Sequence, residues 1–153
     1  MNTKKRLSMS VLMTPDKANF IGNVHGGDLL KILDQVAYAC AARYCGKNVV
    51  TLSVDRVTFE HPISIGTLVT FLASVNYTGR TSMEIGIKVV AEDIKSQTVT
   101  HTNSCFFTMV AVDEKGKPTP IEPLLLESDE DKRRFHDAEK RREARLKSNG
   151  VKK

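Results

Sequence analysis

Asp34 stands inside an otherwise apolar run from Asp28 to Cys45 that holds Leu29, Leu30, Ile32, Leu33, Val36, Ala37, Ala39, Cys40, Ala41 and Ala42. An ionised carboxylate among such neighbours is costly unless it is paired or used, so Asp34 is the first candidate for taking a proton. Just upstream, Gly26 and Gly27 let the backbone approach a ligand closely, and the first helical N–H groups near Gly27 and Asp28 have no internal acceptors. Such donors suit an oxyanion. Each feature also has a plainer account. Two glycines make a tight loop-to-helix turn, and His25 is a loop histidine of the kind that usually serves structure. Asp34 shares its helical face with Lys31, Gln35 and Tyr38, a narrow polar stripe that would reach solvent or another subunit.

The elements that must carry these residues follow from periodicity. The run from Asp28 to Cys45 lacks Gly and Pro, and its apolar positions cover most of a helical circumference, which predicts a helix buried almost all round and stopped by Gly46. Ser8 to Met13 alternates weakly before Pro15 and reads as an edge strand. Beyond the helix, alternation with period two takes over for some sixty residues. Val50, Leu52, Val54 and then Val57, Phe59 slip phase across Asp55-Arg56, which predicts a bulge there. Val69 to Tyr77 and Met83 to Ala91 form a hairpin around Thr78-Gly79-Arg80, and Val99 to Val112 a long last strand. One buried helix and four or five mostly antiparallel strands make an α+β design in which a curling sheet wraps a single rod.

The chain has 153 residues, 41% of them hydrophobic and 27% charged, the composition of an ordinary globular domain. No apolar run approaches a membrane span, and the basic start Lys4-Lys5-Arg6 is followed by no signal-like segment. Three cysteines, Cys40, Cys45 and Cys105, form no CxxC pair, which argues against a disulfide framework or a cysteine-based metal site and fits a reducing cytoplasm. The net charge of +5 is split between a nearly neutral body, residues 1–126, and a mixed-sign tail, residues 127–153. In that tail Glu127, Asp129, Glu130 and Asp131 come first and Lys140, Arg141, Arg142, Arg145 and Lys147 last, the order that suits a helix macrodipole. A solvated terminal helix is expected rather than a nucleic-acid arm.

Several segments in order carry a family resemblance: Asn23-Val24-His25-Gly26-Gly27, Asp34, Thr51-Leu52-Ser53-Val54-Asp55, Phe59-Glu60-His61-Pro62-Ile63 and Gly79-Arg80-Thr81-Ser82-Met83-Glu84. From about Ser10 to Pro123 the chain resembles the hotdog-fold acyl-CoA thioesterases, specifically the bacterial acyl-CoA hydrolase branch. The resemblance implies an antiparallel sheet around a central helix, a dimer joined through sheet edges, and further assembly to a trimer of dimers. It implies acyl-CoA as substrate, with coenzyme A and a fatty acid as products and no cofactor, metal, nucleic acid or membrane as partner.

Thioester hydrolysis needs an activated water, donors for the tetrahedral oxyanion and departure of a thiolate, which leaves readily at a pKa of about 8.5. One carboxylate therefore suffices. In these terms Asp34 is the general base, or alternatively the nucleophile of an anhydride route. Asn23 orients the water or carbonyl, and the Gly27 N–H supports the oxyanion. Arg80, in the turn Gly79-Arg80-Thr81-Ser82, is the expected contact for coenzyme A phosphates, with Arg56 second. A helix starting near Gly27 puts Asp34 roughly 10 Å further along its axis, so Asn23 and Asp34 are expected to meet only across two subunits. Two other classes stay open. One is a non-catalytic acyl-CoA or nucleotide sensor; the other is a hotdog dehydratase or hydratase, for which the four histidines show no matching arrangement.

Overall fold

A computed structural model describes residues 3–150; the first two residues and the last three of the basic tail lie outside it. Five strands, β1 (Arg6–Leu12), β2 (Asn48–Asp55), β3 (Leu68–Thr78), β4 (Ser82–Asp93) and β5 (Thr98–Val112), form one antiparallel sheet in the order β1-β3-β4-β5-β2. Helix α1 (Gly26–Cys45) packs on one face and contacts all five strands, while α2 (Asp129–Gly150) lies on the other. This is the expected sheet around a rod. No helix among the described residues is long and apolar enough to cross a membrane.

The end signals of α1 are local. His25 caps its start, and Gly46, in the left-handed conformation at φ 66°, ends it with its N–H on the Ala42 carbonyl. Leu29, Leu33, Val36, Ala37, Cys40, Ala41 and Tyr44 are buried against Phe71, Ile85, Ile87, Phe107 and Met109 of the sheet. The helix is not buried all round. Leu30, Lys31, Gln35 and Tyr38 are exposed, because a single sheet covers one side of a helix and none of the described residues covers these on the other.

Alternation sets the faces of β3 as expected from Val69 to Val75, but the register shifts at Asn76 and turns Tyr77 to the outer face beside Glu84; the β3–β4 hairpin closes with Gly79 N–H on the Ser82 carbonyl at 2.8 Å. The phase slip in β2 is misplaced by the sequence pattern. It occurs at Leu52, between the pairs Thr51–Met109 and Ser53–Thr108, and β2 ends at Asp55. Val57 and Phe59 follow in an irregular segment, because Arg56 adopts φ +42°, which takes the chain out of the ladder. The slip therefore leaves Thr51 on the α1 side of the sheet, level with Met109 and Met83, while Asp55 faces outward with Phe106 and Gly86.

The terminal helix is docked rather than merely solvated. Phe135 stacks on Tyr77 at 4.8 Å, Ala138 is buried, and Arg141 lies 3.6 Å over the Phe106 ring. Arg141 also gives two hydrogen bonds to the buried Glu84, at 2.6 and 3.0 Å, and Asn76 Nδ2 gives a third at 3.2 Å. At the other end of α2, Asp131 accepts from Lys5 at 2.7 Å and from Arg6 at 3.0 Å. Desolvation raises the Asp131 pKa, but the Lys5 hydrogen bond, the Glu127 N–H and the Lys5 and Arg6 charges outweigh it and hold the carboxyl at about 2.

Two outcomes are expected. A Cβ on Gly86 would collide with Asn76 Nδ2, so Gly86→Ala should displace Asn76 from Glu84 and destabilise the fold by about 1–3 kcal/mol, measured by urea unfolding. Because the Asp131 pKa is lower folded than unfolded, its contribution is full above the ordinary value of 3.8 and fades as pH falls through about 2. Asp131→Asn should therefore flatten the stability loss between pH 4 and pH 2 that the unaltered chain shows in the same measurement.

Candidate active site

Asp34 lies on the partly open side of α1, two turns after the helix start, and is half-buried. The inward-facing Thr51 reaches it from β2 and donates from Oγ1 to Asp34 Oδ1 at 2.6 Å. That bond crosses from the helix to the edge strand and fixes the carboxylate, leaving its second oxygen without a hydrogen bond among the described residues. Leu30 and Tyr38 on α1 and Leu52 and Val54 on β2 are exposed apolar side chains on or near this side, next to the exposed Lys31 and Gln35, while Val50 faces the other side of the strand. The polar stripe of Lys31, Gln35 and Tyr38 is therefore present, but it runs beside exposed apolar side chains at a sheet edge and holds a carboxylate anchored across to the strand.

No residue upstream of α1 makes a hydrogen bond to Asp34 among the described residues. Asn23 sits in a loop tied down by Val24 N–H on the Ile63 carbonyl and by a bridge to Ser64. Its side-chain amide makes no hydrogen bond among the described residues. Its backbone N–H, with that of Ile21, donates to Asn19 Oδ1 at 3.0 Å, so Asn19 organises the loop through its oxygen and keeps its NH₂ group available. Beside it, Phe20 and Ile21 are among the most exposed apolar side chains of the chain.

Gly27 differs from its expected role. Its N–H donates to His25 Nδ1 at 3.0 Å, and the Asp28 and Leu29 N–H groups both go to the His25 carbonyl. His25 is thus the helix cap, as its plainer account holds. The N–H at this helix start that stays free among the described residues belongs to Gly26.

The two expected phosphate contacts are far apart. Arg80 is exposed, without an ion pair among the described residues, at the hairpin turn where Ser82 is level with Val110 and Val50. Thr81 and Gly79 shape this turn through their backbone, the Thr81 carbonyl accepting from Ala111 N–H. Arg56 instead lines a groove of about 600 Å³ with Asp55, Arg141 and Arg145, near the row of Gly86 and Phe106. Four residues of strand, about 13 Å, separate the two rows, so Arg80 and Arg56 do not converge on one group within a chain. The Arg80 end is the one level with Thr51 and Asp34.

Other chemistries find less support. Burial pushes the Cys40 and Cys105 thiols up to about 12, which disfavours a thiolate nucleophile. Among the described residues no histidine pairs with a carboxylate, and no group of three or more His, Cys, Asp or Glu is placed to hold a metal ion. Two residues of interest were not assigned a role from sequence, Thr51 and Asn19. Thr51 becomes visible only once the slip at Leu52 sets its face, and Asn19 only through its turn.

Residues 21–98 match the thioesterase superfamily. The chain is 56% identical over 142 residues to protein VdlD of Helicobacter pylori, a match that covers 93% of this chain and 81% of that one. An apo hexameric acyl-CoA thioesterase superposes with a TM-score of 0.91 at 34% identity, covering 97% of this chain and 95% of its own. The acyl-CoA hydrolase of Staphylococcus aureus, solved with butyryl coenzyme A and coenzyme A, superposes with a TM-score of 0.84 at 27% identity, covering 98% of this chain and 94% of its own. That enzyme has also been solved with alanine replacing an aspartate, an asparagine fifteen residues before it, or a threonine seventeen residues after it. With its single sheet wrapped on a helix, its match over the middle of the sequence and relatives of this identity, the chain belongs to the hotdog-fold thioesterase superfamily.

Proposed function

We propose that this protein hydrolyses fatty acyl-CoA to a free acid and coenzyme A, in a site shared between two subunits of a homodimer. The observation that carries the proposal is the Asp34 carboxylate, fixed by Thr51 at 2.6 Å with one oxygen open, on a helix side that the chain leaves uncovered. In the Staphylococcus aureus enzyme the altered aspartate, asparagine and threonine stand in a spacing that Asp34, Asn19 and Thr51 reproduce here. We therefore give the orienting amide to Asn19, whose NH₂ group is available, and the supporting role to Asn23, whose N–H holds Asn19 in its turn.

In this mechanism Asp34 takes a proton from water, which attacks the thioester carbonyl. Thr51 keeps the carboxylate aimed, and the Asn19 amide of the second subunit orients the carbonyl or water. The N-terminus of α1 from that same subunit supplies oxyanion donors: Gly26 N–H is free, and Gly27 N–H joins it where the oxyanion displaces His25 Nδ1. The coenzyme A thiolate leaves without a dedicated acid. Arg80, at the turn level with Asp34, is the phosphate contact of choice, and Arg56 serves only along a different path.

A shared site explains the exposed surface. Rise along α1 separates Gly26 from Asp34 by about 12 Å, so the loop of Asn19 serves Asp34 of another copy more readily than its own. Pairing of β2 edges would cover Val50, Leu52 and Val54, and contact from the partner loop would cover Phe20 and Ile21. Two of the similar solved thioesterases are hexamers, which supports a trimer of such dimers. All three cysteines are free, as a reducing cytoplasm would keep them, and the reaction as written uses neither metal nor cofactor.

Thiol release from a short-to-long acyl-CoA series tests the reaction class. Asp34→Asn should lower the rate by about 10²–10⁴-fold with the fold intact. Asn19→Ala should lower kcat more than Asn23→Ala does. Absence of thiol release from every acyl-CoA would favour the sensor, and near-normal turnover by Asp34→Asn would remove the base.

A further inference from the structure

On the sheet face away from Asp34, a cavity of about 260 Å³ lies beneath α2. Its floor is the outward set of the central strands, including Ser74, Lys88 and Ser104, and its roof carries Arg133, Arg134 and Arg141. Asp137 is the one carboxylate in the lining. The cations are not equivalent. Arg141 is committed to Glu84 and the Phe106 ring, and Arg134 to Glu130 at 2.7 Å. Arg133 holds Glu130 and Asp137 only at 3.9 and 3.6 Å on an exposed helix face, where such pairs are weak. Lys88 has no hydrogen bond or ion pair among the described residues.

We propose that this cavity is a binding site for a phosphate-bearing small molecule, separate from the thioester site. Lys88 from the floor and Arg133 from the roof approach from opposite walls, which suits an anion with oxygens in several directions better than a flat carboxylate, which one guanidinium satisfies. The Ser74 hydroxyl is already donated to Asn76 Oδ1 at 2.7 Å, which leaves Ser104, 3.1 Å from His101 Nε2, as the further neutral polar group of the lining. A neighbouring groove of about 590 Å³ shares Leu72, Ser74, Lys88 and Arg134 with the cavity, and adds Arg43, also unpaired among the described residues. The anionic group would sit in the cavity and an organic body in that groove. Bound there, it would tie α2 to the sheet. The proposal does not depend on Asp34 being the base: Lys88 and Arg133 belong to the outer sheet face and α2, and Arg43, though it is on α1, borders only the neighbouring groove.

Calorimetric titration of the full chain with inorganic pyrophosphate tests it. Saturable binding should weaken about tenfold or more in Lys88→Ala and stay unchanged in Arg80→Ala, with thioester hydrolysis by Lys88→Ala unaffected when no pyrophosphate is present. No binding to the unaltered chain, equal binding to Lys88→Ala, or loss in Arg80→Ala would each overturn it. Competition then identifies the source of the phosphate. Displacement of pyrophosphate by glycerol 3-phosphate supports a separate site for phosphate monoesters. Displacement by coenzyme A alone, or by neither, overturns it.

Discussion

One sheet covers one side of one helix, and most of what this protein does follows from that constraint. The apolar residues of α1 that face the strands, Leu33, Val36, Ala37 and Cys40 among them, are fully buried. The opposite side holds the exposed Leu30 and Tyr38 and the half-buried Asp34, which Thr51 alone reaches by a hydrogen bond among the described residues. Asp34 would be a liability in the core and unremarkable in open water. At the boundary it is neither: Thr51 anchors it to the edge strand, and exposed apolar side chains, Leu30 and Tyr38, flank it on the helix. Fold, assembly and chemistry are then one problem.

The outer face of the sheet obeys a different rule. Its central outward residues, Asn76, Glu84, Gly86 and Thr108, are polar or small, and they are buried because α2 lies across them. Glu84 is tolerable there only through Arg141 and Asn76, and Asn76 fits only because Gly86 has no side chain. The charged helix is thereby part of the folded unit, with cations left over between it and the sheet.

How much of this is legible in sequence depends on the range of the interaction. Helix α1, the β3–β4 hairpin and the placement of a carboxylate, Asp34, among apolar helix positions rest on local periodicity, and they are visible in the chain itself. The slip at Leu52 is not, because Val50, Leu52 and Val54 alternate smoothly through it and only the pairing with β5 shows the change of phase. The His25 cap on Gly27 and the Asn19 turn depend on how a side chain folds back on its own loop. The docking of α2 depends on Arg141 meeting Glu84 across 57 positions, which no charge pattern within the tail reveals. The resemblance carried the family and the expected dimer; it did not carry the choice between Asn19 and Asn23.

Subunit complementation addresses the shared site most directly. Asp34→Asn and Asn19→Ala chains, each nearly inactive alone, would be co-expressed in equal amounts and the mixed assemblies assayed for thiol release. A site built across two copies gives each mixed dimer one intact centre, so activity should recover to roughly a quarter of the unaltered enzyme on random pairing. Activity no higher than that of the two parents, from assemblies shown to be mixed, would place both residues in one chain and contradict the account.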